Sequence, residues 1–168
     1  MPLAGCGGAG EAFGDLYDDV GACWRVIAEA DGPVVLCGRC YGGVIITEAG
    51  VDDCVFQLLC VTSGVRDAGQ SQADVVVSEP GPWLSPGEDG TGGVISEMVR
   101  EFFLQDWDEV TIEQALGRVT RRSLTPFTPP SRRIAWRQKP ATYVVCVVDD
   151  PGRGAASTRW GWRGCCRG

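Results

Sequence analysis

Val34-Val35-Leu36-Cys37-Gly38-Arg39-Cys40-Tyr41-Gly42-Gly43-Val44 joins two unlike pieces of chain across a glycine-rich turn. Val34 to Cys37 is a short continuous apolar run, the pattern of a strand buried on both faces. Gly38 to Gly43 supplies a tight turn, with one glycine two residues before Cys40 and another two residues after it. Val44 to Ala49 follows as a helix by context, and Gly50 is placed to cap its C-terminus.

Upstream, Leu16, Val20, Cys23, Trp24 and Ile27 recur at three- and four-residue spacing, which predicts an amphipathic helix from Asp15 to near Ala30. Asp31-Gly32-Pro33 breaks it. Downstream, Val55 to Val61 reads as a second buried strand. Strand, turn, helix and strand in that order make a βαβ unit, so the core is expected to be a parallel α/β sheet. Residues 62–93 carry Gly, Pro, Ser and Asp with little periodicity, as a long excursion or lid would. Val94 to Gln105 and Val110 to Val119 predict two helices. Thr125 to Pro130 reads as a rigid spacer of polyproline type, and Thr142 to Val148 as a third buried strand ending at Asp149-Asp150-Pro151. Residues 1–14 are Gly- and Ala-rich and expected to fray. Residues 151–168 hold four Arg, two Trp, two Cys and five Gly without an acid. That tail reads as poorly ordered, with the composition a shifted frame of GC-rich DNA produces. The folded domain is expected at 15–150.

The 168 residues suffice for one domain of moderate size. A hydrophobic share of 44% supports a sizeable core and excludes wholesale disorder. The formal net charge of −7 argues against nucleic acid or an anionic membrane surface as a partner. No apolar run approaches the roughly 20 residues of a membrane span. Met1 to Gly10 has neither the basic nor the apolar region of a secretory signal. Nine cysteines is an odd count, and several lie inside apolar runs as small buried hydrophobes, which predicts a reducing, cytoplasmic setting. Histidine is absent. That removes the commonest general base and the commonest metal ligand from any mechanism.

Gly38-Arg39-Cys40-Tyr41-Gly42 resembles the nucleophile elbow of the α/β-hydrolase fold, G-x-S-x-G, with Cys in place of Ser. The wider run from Gly32-Pro33 through Gly50 is similar to the Gly-His-Ser-Tyr-Gly-Gly region of small bacterial esterase-like members. The likeness extends from Asp15 to Val61 and resumes weakly at Thr142 to Asp149. It implies a three-layer α/β-hydrolase-like parallel sheet, incomplete at both ends, with a helical cap insertion at about 62–135. It further implies hydrolysis of a small ester or amide through an acyl-enzyme, with no cofactor. Cys40 would be the nucleophile, held in a strained backbone, with Gly38 and Gly42 letting strand and helix approach closely. The Tyr41 N–H would donate to the oxyanion. Asp149 matches the triad acid, with Asp150 as a fallback. The departures bear on activity: Arg39 stands where His is usual, and the early strands and the catalytic His have no counterpart. A thiol depends less on a base than a hydroxyl does, but hydrolysis of its thioester is expected to be impaired.

Two other classes stay open. The chain could be a non-catalytic, degenerate hydrolase that binds a ligand, with an open sheet edge that invites self-association. Alternatively, Cys37-Gly38-Arg39-Cys40 is a C-x-x-C between a strand and a helix, as in thiol redox sites, with Pro140 just before a strand. A zinc site is disfavoured, since Cys165 and Cys166 are adjacent and no His is available. Glu48 reads as a helix-surface residue, Asp52-Asp53 as a turn and Glu88-Asp89 as a solvated loop. Trp83, Trp107 and Trp136 are read as core or interface packing before pocket lining.

Overall fold

Asp15 starts the first helix. Its carboxylate accepts from the N–H groups of Tyr17 and Asp18, and the Asp18 carboxylate accepts from the Asp15 N–H in return. A cap of this kind is worth about 1 kcal/mol. The computed structural model describes residues 14–75 and 84–144. Its elements are α1 (Leu16–Ala28), β1 (Val34–Cys40), α2 (Gly42–Ala49), β2 (Val55–Ser63), α3 (Gln72–Val75), β3 (Leu84–Pro86), β4 (Thr91–Val94), α4 (Ser96–Phe103), α5 (Glu109–Leu116), β5 (Arg122–Ser123) and β6 (Ala141–Val144). The predicted N-terminal and C-terminal segments, Trp83, Cys146, Asp149 and Asp150 lie outside the described residues.

The sheet has the order β1-β2-β6, with both pairings parallel, as the βαβ reading requires. Its packed face meets the two helices. Leu16, Val20 and Ile27 of α1, Val44, Ile45 and Ala49 of α2, and Val55, Leu58 and Cys60 of β2 form one buried cluster. Each buried aliphatic side chain there contributes roughly 1.5–3 kcal/mol. The Trp24 indole N–H donates to the Ala49 carbonyl at 3.1 Å and fixes α1 against the end of α2.

The strands are not buried on both faces, as their apolar runs had suggested. Burial alternates along β1, and Val35 and Phe56 are 56% and 61% exposed. One face is packed, and the other is open among the described residues. Val144 on β6 is also exposed.

Between β2 and β6 the chain makes a long insertion. Helix α4 falls inside the first predicted helical stretch, α5 starts one residue before the second at Glu109, and the two are tied by an Arg100–Glu109 ion pair. The insertion also contains a three-stranded antiparallel sheet, β3-β4-β5, that the sequence did not suggest. Val94 belongs to β4 and not to the helix after it.

Thr125 to Pro130 is not a free spacer. Thr125–Phe127 is a 3-10 turn with Pro126 buried, and Phe127 packs on the core. The Pro129 carbonyl accepts from Arg66 Nη1 at 3.1 Å, and the Pro130 carbonyl from the Tyr17 hydroxyl at 2.7 Å. A carbonyl cannot be left dry in packed surroundings, and both prolines supply acceptors without donors. The two ends of the insertion meet here. The Gly69 N–H donates to the Ser131 carbonyl at 2.8 Å, and the Ser131 N–H to the Gln70 carbonyl at 2.9 Å. An Asp67–Arg137 ion pair lies beside them.

Candidate active site

β1 ends at Cys40 with φ at +52°. Tyr41 then caps α2, and the helix runs from Gly42. A side-chain-bearing residue in this left-handed region costs on the order of 1–3 kcal/mol and persists only where its surroundings hold it. Here the Cys40 carbonyl accepts the Gly64 N–H at 3.0 Å. Cys40 pairs in register with Ser63, which leaves Thr62 as a bulged residue at φ +40°. Two strained residues therefore sit side by side at the carboxyl edge of the sheet.

Of the two glycines expected to allow the close approach, Gly38 does so and Gly42 does not. A Cβ on Gly38 would lie 2.6 Å from the carbonyl carbon and oxygen of Gly42 and 2.7 Å from Gly43 N, so only glycine fits there. A Cβ on Gly42 would meet nothing within 4 Å. Gly42 is thus not required for the close approach. Gly43 is: its Cβ would fall 1.7 Å from Ser63 Oγ and 2.8 Å from the Gly64 carbonyl oxygen. The contact is made one residue later because the helix turns its Gly43 face onto β2.

Cys40 is exposed at this edge, beside the first turn of α2. As the cap residue, Tyr41 keeps its N–H outside the helical ladder. Its side chain is buried, and its hydroxyl donates to Asp19 Oδ2 at 2.9 Å. Burial, reinforced by the Asp19 carboxylate, pushes the phenol above its ordinary range. The Arg122 guanidinium lies 4.5 Å from the centre of the Tyr41 ring, and Phe127 meets the ring edge-on at 5.6 Å. Tyr41 is therefore pinned by α1 on one side and by the insertion on the other. No spacing in the sequence pointed to Asp19 or Arg122.

Glu48 is fully buried, not a helix-surface residue. Its Oε1 accepts from the backbone N–H groups of Arg132 and Arg133, the latter at 3.1 Å. Arg66 is fully buried as well. Burial lowers the pKa of its guanidinium, while Tyr41 and Glu48 act in the opposite direction.

Among solved structures, the pyrethroid hydrolase of Sphingobium faniae JZ-2 matches with a TM-score of 0.67 at 19% identity, over 86% of this chain and 75% of that one. An extracellular α/β-hydrolase from a Paenibacillus species matches with a TM-score of 0.68 at 16% identity, over 86% and 64%. The chain has the α/β-hydrolase fold. Polyneuridine aldehyde esterase shares it, with a TM-score of 0.64 at 14% identity over 79% of this chain and 60% of that one. No family model and no curated protein sequence matches the chain.

β1, Cys40 and α2 run as strand, tight turn and helix. Cys37 and Cys40 are both exposed free thiols, but both lie on β1. A dithiol site at a helix start is not formed, because the first Cys is three residues inside a strand. Cys23 and Cys60 have thiol pKa values raised by burial. Among the described residues no three of Cys, Asp and Glu gather as metal ligands, and no helix is long and apolar enough to cross a membrane. Asp52 forms the expected turn, its carboxylate accepting the Cys54 N–H at 2.9 Å. Trp107 is 56% exposed. Trp136 packs on the core and donates to the Arg66 carbonyl at 3.0 Å. A concavity of about 510 Å³, lined by Pro33, Cys54, Phe56 and Pro140 among others, opens at the amino end of the strands, away from Cys40.

Proposed function

We propose that Cys40 is an acyl acceptor for a small ester or amide, and that turnover beyond the acyl-enzyme is impaired. The observation that supports this reading is the left-handed backbone at Cys40, between β1 and α2 of an α/β-hydrolase fold. The thiolate sulfur attacks the carbonyl carbon, and the Tyr41 N–H donates to the developing oxyanion. Collapse of the tetrahedral species breaks the carbon–oxygen bond, and the leaving group departs with that electron pair. The thiol proton passes to solvent. With no histidine in the 168 residues, no imidazole protonates a poor leaving group or activates the hydrolytic water. An aryl ester, whose phenolate leaves unprotonated, is accordingly the substrate class that reacts. Asp149 would be a triad acid with no imidazole to orient.

A short-chain aryl ester tests this. The expected result is a stoichiometric burst of phenolate followed by a slow steady state, and a burst lost in Cys40→Ala. Equal rates for the two proteins would remove Cys40 from the chemistry. The absence of histidine favours a second reading, a fold that binds such a ligand without reacting. Saturable binding with no burst would support it.

A further inference from the structure

We propose that Tyr143 is a positioning residue: its hydroxyl holds the Thr62–Ser63 bulge of β2 in shape, and through Gly64 that bulge fixes the left-handed backbone of Cys40. Tyr143 lies on β6 and pairs in register with Cys60. Its hydroxyl reaches past that partner to Ser63. There it donates to the Ser63 carbonyl at 2.7 Å and accepts the Ser63 N–H at 3.0 Å. One phenol thus gives Ser63 both the donor and the acceptor that a neighbouring strand ordinarily supplies.

The residue that needs this hold is Thr62. In the β1–β2 pair Arg39 lies opposite Val61 and Cys40 opposite Ser63, so Thr62 is skipped. Its φ is +40° and its side chain is exposed. A β-branched residue in this region is a steric outlier that persists only where its surroundings over-determine it. An exposed side chain has no packing to do that, whereas two hydrogen bonds on the next residue do. From Ser63 onward the chain is committed. The Ser63 side chain is wedged against Gly43, where a Cβ would fall 1.7 Å from its Oγ. The Gly64 N–H then donates to the Cys40 carbonyl at 3.0 Å. Relaxation of Thr62 to negative φ would turn the peptide between Ser63 and Gly64, and the Cys40 carbonyl would lose the bond that holds it. The consequence for acyl transfer rests on the reading of Cys40 given above; the consequence for the backbone does not.

Tyr143→Phe in the full chain removes the hydroxyl and keeps the ring. Amide hydrogen exchange read by NMR, together with the aryl ester burst, tests the proposal. The Ser63 and Gly64 N–H groups should exchange about tenfold faster or more. The Leu58 N–H, bonded to the Pro140 carbonyl at 2.9 Å where β2 meets the start of β6, should keep its wild-type rate. Gly64 is the informative amide, because its bond is to Cys40 and not to Tyr143. At saturating ester the burst should slow by about tenfold or more, with the half-saturating concentration unchanged. Adding Thr62→Gly to Tyr143→Phe should restore both readouts, since glycine takes the left-handed φ without help from the phenol. Unchanged exchange at Gly64 would overturn the proposal, and so would equal acceleration at Leu58, which marks a general loosening of β6. Failure of Thr62→Gly to restore Gly64 protection would overturn it too, as would an unchanged burst in a variant whose Gly64 N–H has lost protection. A wild type without a burst refutes the acyl-acceptor reading of Cys40 instead, and exchange at Gly64 then decides the positioning role by itself.

Discussion

Replacing Gly43 by alanine isolates what holds the turn at Cys40 together. The added methyl would sit 1.7 Å from Ser63 Oγ, 2.7 Å from Ser63 Cβ and 2.8 Å from the Gly64 carbonyl oxygen. Rotation of the serine hydroxyl relieves the first contact only. The other two require α2 to move off β2, and overpacking of this kind costs typically about 1–3 kcal/mol. At this chain length each kcal/mol lowers the melting temperature by about 2–4 °C. Gly42→Ala is the control. It has open space and no left-handed φ, so a gain of about 0.4–1 kcal/mol is expected from the reduced freedom of the unfolded chain. Urea unfolding of the two variants gives the comparison directly. Ser63→Gly added to Gly43→Ala removes two of the three contacts and should recover part of the loss. If Gly42→Ala were as damaging as Gly43→Ala, the close approach of helix to strand would not be what constrains this turn.

Glu48→Ala removes the acceptor of two backbone N–H groups and a carboxylate near buried Arg66; a loss of about 2–3 kcal/mol in chemical denaturation is expected. Stability should also fall on the alkaline side. The raised pKa values of Cys23, Cys60 and Tyr41 mean that the native state holds protons the unfolded chain gives up. Their contribution is complete below the ordinary thiol range and declines as pH rises through it and then past about 10 for the phenol. Tyr41→Phe should flatten the upper part of a denaturation series taken against pH. Alkylation with iodoacetamide, read by peptide mass spectrometry, should modify Cys37, Cys40 and Cys54 well before Cys23 and Cys60, because only the first three are exposed and burial holds the last two as thiols.

The order of strand, turn, helix and strand was legible because β1, α2 and β2 are short and apolar, and each is bounded by Gly, Asp or Pro. The bend at Cys40 was legible from the flanking glycines. Glu48 was misread because a lone carboxylate on a short helix suggests solvent. The better indicator was its neighbours: Val44 and Ile45, four and three residues back, share its face, and α2 is buried nearly all round. The open face of the sheet was missed because an apolar run has no alternation from which a one-sided strand is told apart. Strands β3 to β5 have two to four residues each, too short for any period to register. Asp19 and Arg122 meet Tyr41 from distant parts of the chain, and their pairing depends on tertiary packing alone.

The paired backbone bonds between Gly69–Gln70 and Ser131 give the insertion a narrow stem, with its entry and exit strapped together before either reaches the sheet. Whatever is threaded between those straps is topologically a cassette. Its length and make-up are free to change, provided that Arg122 and Phe127 still arrive at the Tyr41 ring, so the region that covers this ring is the part of the protein most readily exchanged for that of another.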